Sequence, residues 1–347
     1  MVQSNFLLFW FVASLTACCV HSYLASSRLC FQHSLLRLYP RHSATTKPIS
    51  SKIGNRREIS KSIFLTIAAK ETQTSKDLEL PTERYVVFNR FQTRDGAGPK
   101  FEKRWAERKS SLATTEGFRF FTLLRRADDV KSTDGKTFSY PVGTPDYMSM
   151  SVWETKDHWR KSNAFKEAHG GGSIGGLLSA LVSSLFVLKG PPSLAMWDGI
   201  LPISTPLASS PIVYKGRDDE GRAVADGASP LPEECFVAMN RFAVRADAAA
   251  AFERRWAERE SSLQGTAGFV GFMILRRDQT ADDGVNYSTC TVWADRAAFE
   301  AWRDGPSVAT HQRAQAAGKA PISELLTGPP QPAFWHGVLA LQTPLGI

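Results

Sequence analysis

A segment of twelve residues occurs twice in this chain: FEKRWAERKSSL at Phe101–Leu112 returns as FERRWAERESSL at Phe252–Leu263, displaced by 151 positions. The same displacement carries Asn89 to Asn240, Gly117 to Gly268, and the pair Arg125, Arg126 to Arg276, Arg277. It falls to 140 at Trp153 and Trp293, so the first copy holds 11 extra residues in the polar loop between Arg126 and Asp146. Further on, KGPPSLAMWDG (Lys189–Gly199) answers TGPPQPAFWHG (Thr327–Gly337). One structural unit is therefore used twice, and any fold must accommodate both copies.

The order of elements is the same in each copy. A strand (YVVFNRF, CFVAMNRF) precedes a helix that starts near Pro99 or Ala248, with Phe101, Trp105 and Leu112 close to one helical face. A second strand (FRFFTLLRR, FVGFMILRR) and a third (YMSMSVW, YSTCTVW) follow. The pattern then predicts a helix over Lys156–His169 or Arg296–His311, and a last strand containing Trp197 or Trp335. Strand–helix–strand–strand–helix–strand is the ferredoxin-like α+β plan. The expected division is a leader over 1–70, a first domain over 80–204, a Pro/Gly/Ser/Asp-rich linker over 205–234 and a second domain over 235–347. In FRFFTLL, Phe118, Phe120 and Leu124 alternate with Phe121 and Leu123, so both sheet faces need cover. The economical partner is the sheet of the other copy, packed face to face into a barrel-like core. That arrangement is an intramolecular pseudo-dimer and predicts a monomeric chain.

Net charge is +8, which first suggests nucleic acid or anionic lipid. Nine basic residues and one acid lie in 1–70, leaving 33 of each sign in the rest of the chain, so a basic nucleic-acid surface is not expected there. Phe6–Val20 is apolar and uncharged, short of a spanning helix, and small residues follow at Ser22–Ser27. A Ser/Thr/Arg/Lys-rich stretch comes next. Signal followed by transit composition predicts import into a plastid; a secreted or mitochondrial leader is the alternative. Cys18, Cys19 and Cys30 belong to that leader, and the remaining Cys235 and Cys290 form no CxxC or zinc spacing. Whether those two pair is not readable from sequence.

Elimination narrows the chemistry. Of seven histidines, His21, His33 and His42 are in the leader, and His158 and His336 have no counterpart in the other copy. Only His169 and His311 repeat. His169 follows Phe165 by one turn in WRKSNAFKEAH, and a neutral imidazole on an apolar helical face suits iron or haem as well as a packed core position. Asn89 and Asn240 interrupt apolar strands, where a buried amide is costly unless it meets a partner or a bound group. Trp159 and Trp302 precede the histidines by 10 and 9 residues, a distance at which a ring could press on a planar ligand or simply pack the helix. No Gly-rich phosphate loop, Ser-His-Asp set or carboxylate pair stands out.

Taken together, Asn-Arg, Phe-Glu…Arg, Gly-Phe and then Val-Trp…Trp…Ser…Phe-Lys…Ala-His resemble the antibiotic-biosynthesis-monooxygenase superfamily, specifically its IsdG-type haem-degrading branch. The resemblance spans about Tyr85–Ile200 and Cys235–Gln342. It implies dimeric α/β-barrel domains, haem as both substrate and cofactor, O2 and an external reductant with its electron donor. It also implies roles: His169 and His311 as iron ligands, with Phe165 beside the first; Asn89 and Asn240 as donors to oxygen at the iron; Trp159 and Trp302 as the rings that distort the porphyrin. Copy one keeps FKEAH and is the expected better haem site, with Gly170–Gly176 and Leu177–Leu188 as a candidate flap. The same fold also serves cofactor-free monooxygenases of quinols or polyphenols, and non-catalytic haem binders.

Overall fold

In each half, two amphipathic helices cover one face of a four-stranded sheet, and the helices begin where the sequence can cap them. The computed structural model describes residues 79–108, 110–132, 135–140, 144–162, 186–205, 224–259, 261, 263–279, 283–305 and 321–347. Copy one contributes β1 (Arg84–Phe91), α1 (Gly98–Ala106), β2 (Phe118–Arg126), β3 (Tyr147–Trp153), α2 (Lys156–Lys161) and β4 (Ser193–Ser204). Copy two contributes β5 (Cys235–Phe242), α3 (Ala249–Ala257), β6 (Phe269–Arg277), β7 (Tyr287–Trp293), α4 (Arg296–Arg303) and β8 (Gln331–Gln342). Pro99 sits in the first turn of α1, where its missing N–H costs nothing. Thr155 and Asp295 cap α2 and α4 by accepting from the amides of His158 and Ala298.

The strands close in the order β1-β3-β2-β8-β5-β7-β6-β4. Each final strand has two allegiances: β4 pairs its own β1 and the other copy's β6, while β8 pairs β5 and β2. The expected pseudo-dimer is present, with a correction to its geometry. The two sheets are joined edge to edge into one barrel instead of being stacked, which leaves no free sheet edge. Where β4 and β8 cross to the other copy the register slips, and Leu201 and Leu339 take positive φ of 51° and 55°. These are equivalent bulges that bend each strand around the barrel.

The faces divide cleanly. Val86 and Phe88, Met148 and Met150, Val237 and Met239, and Met273 and Cys290 form the barrel interior. The opposite faces carry the helices: Phe101 of α1 packs on Phe91, and Trp105 stacks on Phe121 at 5.8 Å. Leu112 is not on that helix, because α1 ends at Ala106 and Leu112 opens a separate 3-10 turn.

Two buried carboxylates tie the halves together. Glu102 of α1, fully buried, meets Arg125, the Tyr147 hydroxyl and the backbone N–H of Leu231. Glu253 of α3, also fully buried, meets Arg276 at 3.0 Å, the Tyr287 hydroxyl at 2.7 Å and the N–H of Leu80 at 2.6 Å. Leu80-Pro81 and Leu231-Pro232 are thus a further pair in the repeat, each leading into one copy and held by the other. The end of the expected linker is therefore part of the fold, with Leu231 buried beside Phe101.

Candidate functional site

Strand parity places the asparagines. Tyr85, Val87, Asn89 and Phe91 share the helix-covered face of β1, since Phe91 meets Phe101 and Tyr85 meets Trp159 at 5.5 Å. Across the sheet, the row at this level reads Leu123, Ser149, Asn89, Leu194, and the next reads Phe121, Ser151, Val87, Met196. In copy two the rows are Ile274, Thr289, Asn240, Pro332 and Phe272, Thr291, Ala238, Phe334. The middle of each face is lined by small side chains, Ser149 and Ser151 or Thr289, Thr291 and Ala238, between larger apolar flanks.

The two amides differ in what they have left to bind. Asn89 Nδ2 donates to Ser149 Oγ at 3.1 Å. Asn240 receives no such help from Thr289, whose hydroxyl accepts from the Asn240 backbone N–H instead. The Asn240 Oδ1 atom is buried and, among the described residues, without a hydrogen-bond partner. An amide held on an apolar face with unspent capacity is costly unless a ligand completes it.

The tryptophans are not equivalent, contrary to the sequence expectation. The helix register is fixed at three points. Thr155 and Asp295 cap the two helices at the same position. A Cβ on Gly117 would fall 2.2 Å from the His158 ring, and one on Gly268 would fall 2.4 Å from the Ala298 methyl. Trp159 lies on Tyr85 as Phe299 lies on Phe236, at 5.5 and 5.2 Å. Trp159 therefore corresponds to Phe299, and Trp302 corresponds to Ser162. Counting back from the histidines misses this because copy two has two more residues between its helix cap and its histidine, 16 from Asp295 to His311 against 14 from Thr155 to His169. Trp159 is 8% exposed among Tyr85, Phe118 and Trp153. Trp302 is less enclosed, one face against Trp293 at 5.3 Å. On these grounds copy two, not copy one, keeps a tryptophan one turn farther along its helix together with an incompletely bonded asparagine.

The helices are shorter than expected. Ser162 ends α2 in an extended conformation with its hydroxyl on the Trp159 carbonyl, and α4 stops at Arg303, before Gly305-Pro306. Phe165, His169, His311 and the flap segment Gly170–Gly176 lie outside the described residues. The unmatched histidines have local partners: His158 faces Glu154 and Thr155, and His336 pairs with Glu233.

The 11-residue insertion of copy one has a role that its polar composition did not advertise. It runs across to copy two, where Phe138 meets Phe334 at 5.0 Å and the Tyr140 hydroxyl donates to the Phe334 carbonyl at 3.3 Å. Asp129 binds Arg296 at 2.7 Å, and the Lys131 carbonyl accepts from Arg303 at 2.8 Å, so α4 is tethered at both ends. A Phe138–Phe334–Phe299–Trp302 aromatic series results, with successive centroids at 5.0, 5.4 and 6.3 Å. The signal available in sequence was the alternation of Val130, Phe138 and Tyr140 within an otherwise polar loop.

Comparison with known family profiles agrees with the duplication. The antibiotic biosynthesis monooxygenase profile matches twice, over 84–171 and 235–314, running through both histidine positions. A protein of two Mycobacterium tuberculosis strains, named heme oxygenase (mycobilin-producing), is 35% identical over 75 residues, covering 22% of this chain and 69% of that protein. Among solved structures, a candidate monooxygenase of Fusobacterium nucleatum aligns over 76% of this chain and 95% of its own at 7% identity and TM-score 0.46. One from Lactobacillus acidophilus aligns over 75% and 96% at 10% identity and TM-score 0.44. The chain belongs to the antibiotic biosynthesis monooxygenase family, as a tandem two-domain member similar to the IsdG-type branch.

Proposed function

We propose that this monooxygenase-family chain degrades haem, opening the porphyrin with O2 and electrons from an external donor and releasing iron, and that copy two is the principal site. The observation that carries this reading is the buried Asn240 Oδ1 atom, without a hydrogen-bond partner among the described residues, on the helix-covered face of the half that also holds Trp302. When bound, haem supplies the iron at which O2 is activated. The chain's own part is ligation, shape and a hydrogen bond. His311 is the proposed ligand in copy two, and His169 in copy one. The Asn240 amide, turned so that its NH2 faces the ligand, donates to oxygen without reorganising. Ala238, Thr289 and Thr291 leave space beside the strands, while Trp302 limits how flat a macrocycle can lie. The tether from Asp129 and Lys131 keeps α4, and hence Trp302, in register.

Titration of the protein with hemin tests this reading. A Soret band that decays with reductant and O2 while free iron appears supports degradation; a stable band indicates a haem binder, and no band indicates a cofactor-free monooxygenase. His311→Ala should weaken binding more than His169→Ala, and Trp302→Phe should alter rate or product while binding persists. Residues 1–70 remain proposed as a plastid-targeting leader, which a fluorescent fusion of that segment would test.

A further inference from the structure

The residue after each asparagine points the other way. Arg90 lies on the same side of β1 as Val86 and Phe88, and Arg241 on the same side of β5 as Val237 and Met239, so both reach into the barrel mouth. Arg277 joins them from β6. All three converge on one carboxylate: Asp283 is 2.8 Å from Arg241 Nη2, 3.7 Å from Arg90 Nη1 and 4.0 Å from Arg277 Nη1. Among the described residues Asp283 is their only acidic partner.

Three guanidiniums against one carboxylate do not balance, and they are not freely hydrated. Their side chains are 26%, 22% and 9% exposed for Arg90, Arg241 and Arg277. The Arg90 Nε–H is buried and, among the described residues, unpartnered, and Arg277 rests on the Trp197 ring at 4.6 Å. Burial first, and then their mutual repulsion, pulls Arg241 and Arg277 below the ordinary arginine range. Of the three, Arg90 alone lines a cavity of about 180 Å³, together with Lys189, Gln92, Gly190 and Ser193. Clustered, partly desolvated arginines favour an anion, because a planar guanidinium fork matches phosphate and carboxylate oxygens.

We propose that this mouth binds a small oxyanion, a phosphate or a dicarboxylate, clamped between Arg90 and Arg241. One guanidinium comes from each copy, so the site exists only because both halves close a single barrel. It lies on the strand faces opposite Asn89 and Asn240, and it stands independently of the haem reading.

Calorimetric titration of the full chain with inorganic phosphate, and separately with succinate at matched ionic strength, tests it. Saturable binding of either anion is expected, and which one binds identifies the ligand class. Arg90→Gln and Arg241→Gln should each weaken binding at least tenfold with unchanged circular dichroism. Asp283→Asn should strengthen it several-fold by removing the competing carboxylate. Absence of saturable binding in both the wild type and Asp283→Asn overturns the proposal, as does an affinity indifferent to Arg90→Gln.

Discussion

Removing Glu253 should cost less than removing Glu102, although the two residues are counterparts and equally buried. Truncating Glu253 to alanine strips the acceptor from the Leu80 N–H and the Tyr287 hydroxyl. Two buried donors left bare cost about 1–3 kcal/mol each. Arg276 is not orphaned, because Asp198 at 3.5 Å and Glu79 at 3.6 Å remain beside it. Glu253→Ala should therefore lose about 3 kcal/mol. In Glu102→Ala the same two kinds of donor are bared, at Leu231 and Tyr147, but among the described residues Arg125 has no second carboxylate and keeps the Leu231 carbonyl at 3.2 Å. Breaking a buried pair and stranding its charge costs about 3–5 kcal/mol, so the expected loss moves to about 4 kcal/mol or more. For a fold of this size each kcal/mol shifts melting by ~2–4 °C. Denaturant unfolding with a global fit for m and midpoint measures both variants, and hydrogen exchange at the Leu80 amide reports the first latch locally. Losses below about 1 kcal/mol in both, or a larger loss in Glu253→Ala, would refute the accounting of partners from which the order was derived.

Other perturbations have equally definite outcomes. Gly268→Ala should destabilise by roughly 2 kcal/mol or more, since its φ of +74° disfavours any side chain and its Cβ would meet Ala298 at 2.4 Å; a wild-type melting curve would contradict this. Burial pushes both thiols up to about 12, so a maleimide at pH 8 should label Cys235 and Cys290 only after unfolding, as peptide mass spectrometry would report. Burial alone would raise the Asp278 carboxyl, but hydrogen bonds from Lys156 and Tyr85 outweigh it and hold the group below its ordinary value. A depressed folded-state pKa gives stability that is present above the unfolded value and lost as pH falls through the folded one. The unfolding free energies of wild type and Asp278→Asn should thus differ at pH 7 and converge in the acid range; a gap that persists unchanged would sink that linkage.

The duplication and its alternating strands made the fold legible. Phe120 and Phe121 cannot both face water, and the barrel interior and the helices take one each. Sequence alone left the strand exchange open. Pairing of β4 with β6 and of β8 with β2 depends on bulges at Leu201 and Leu339, residues with no intrinsic preference for positive φ. Those bends come from closing the sheet around eight strands, a constraint no short stretch of sequence carries.

The site was legible in its residue types more than in its register. Asn89 and Asn240 were found because an amide inside an apolar strand is conspicuous, and both do face the helices. Trp159 and Trp302 were paired by counting from the histidines, whereas a helix takes its register from its start. A cap fixes the first turn, and a glycine that admits only a small contact fixes the rotation; here Thr155 with Gly117, and Asp295 with Gly268, set both. From those anchors Ser162 falls where Trp302 stands, so the two halves cannot be chemically alike even though β1 pairs with β3 and β4 in the same register as β5 pairs with β7 and β8. What the two copies share is what closes the barrel; the aromatic on the second helix differs between them, Trp302 packing on Trp293 where copy one has Ser162 bonded to the Trp159 carbonyl.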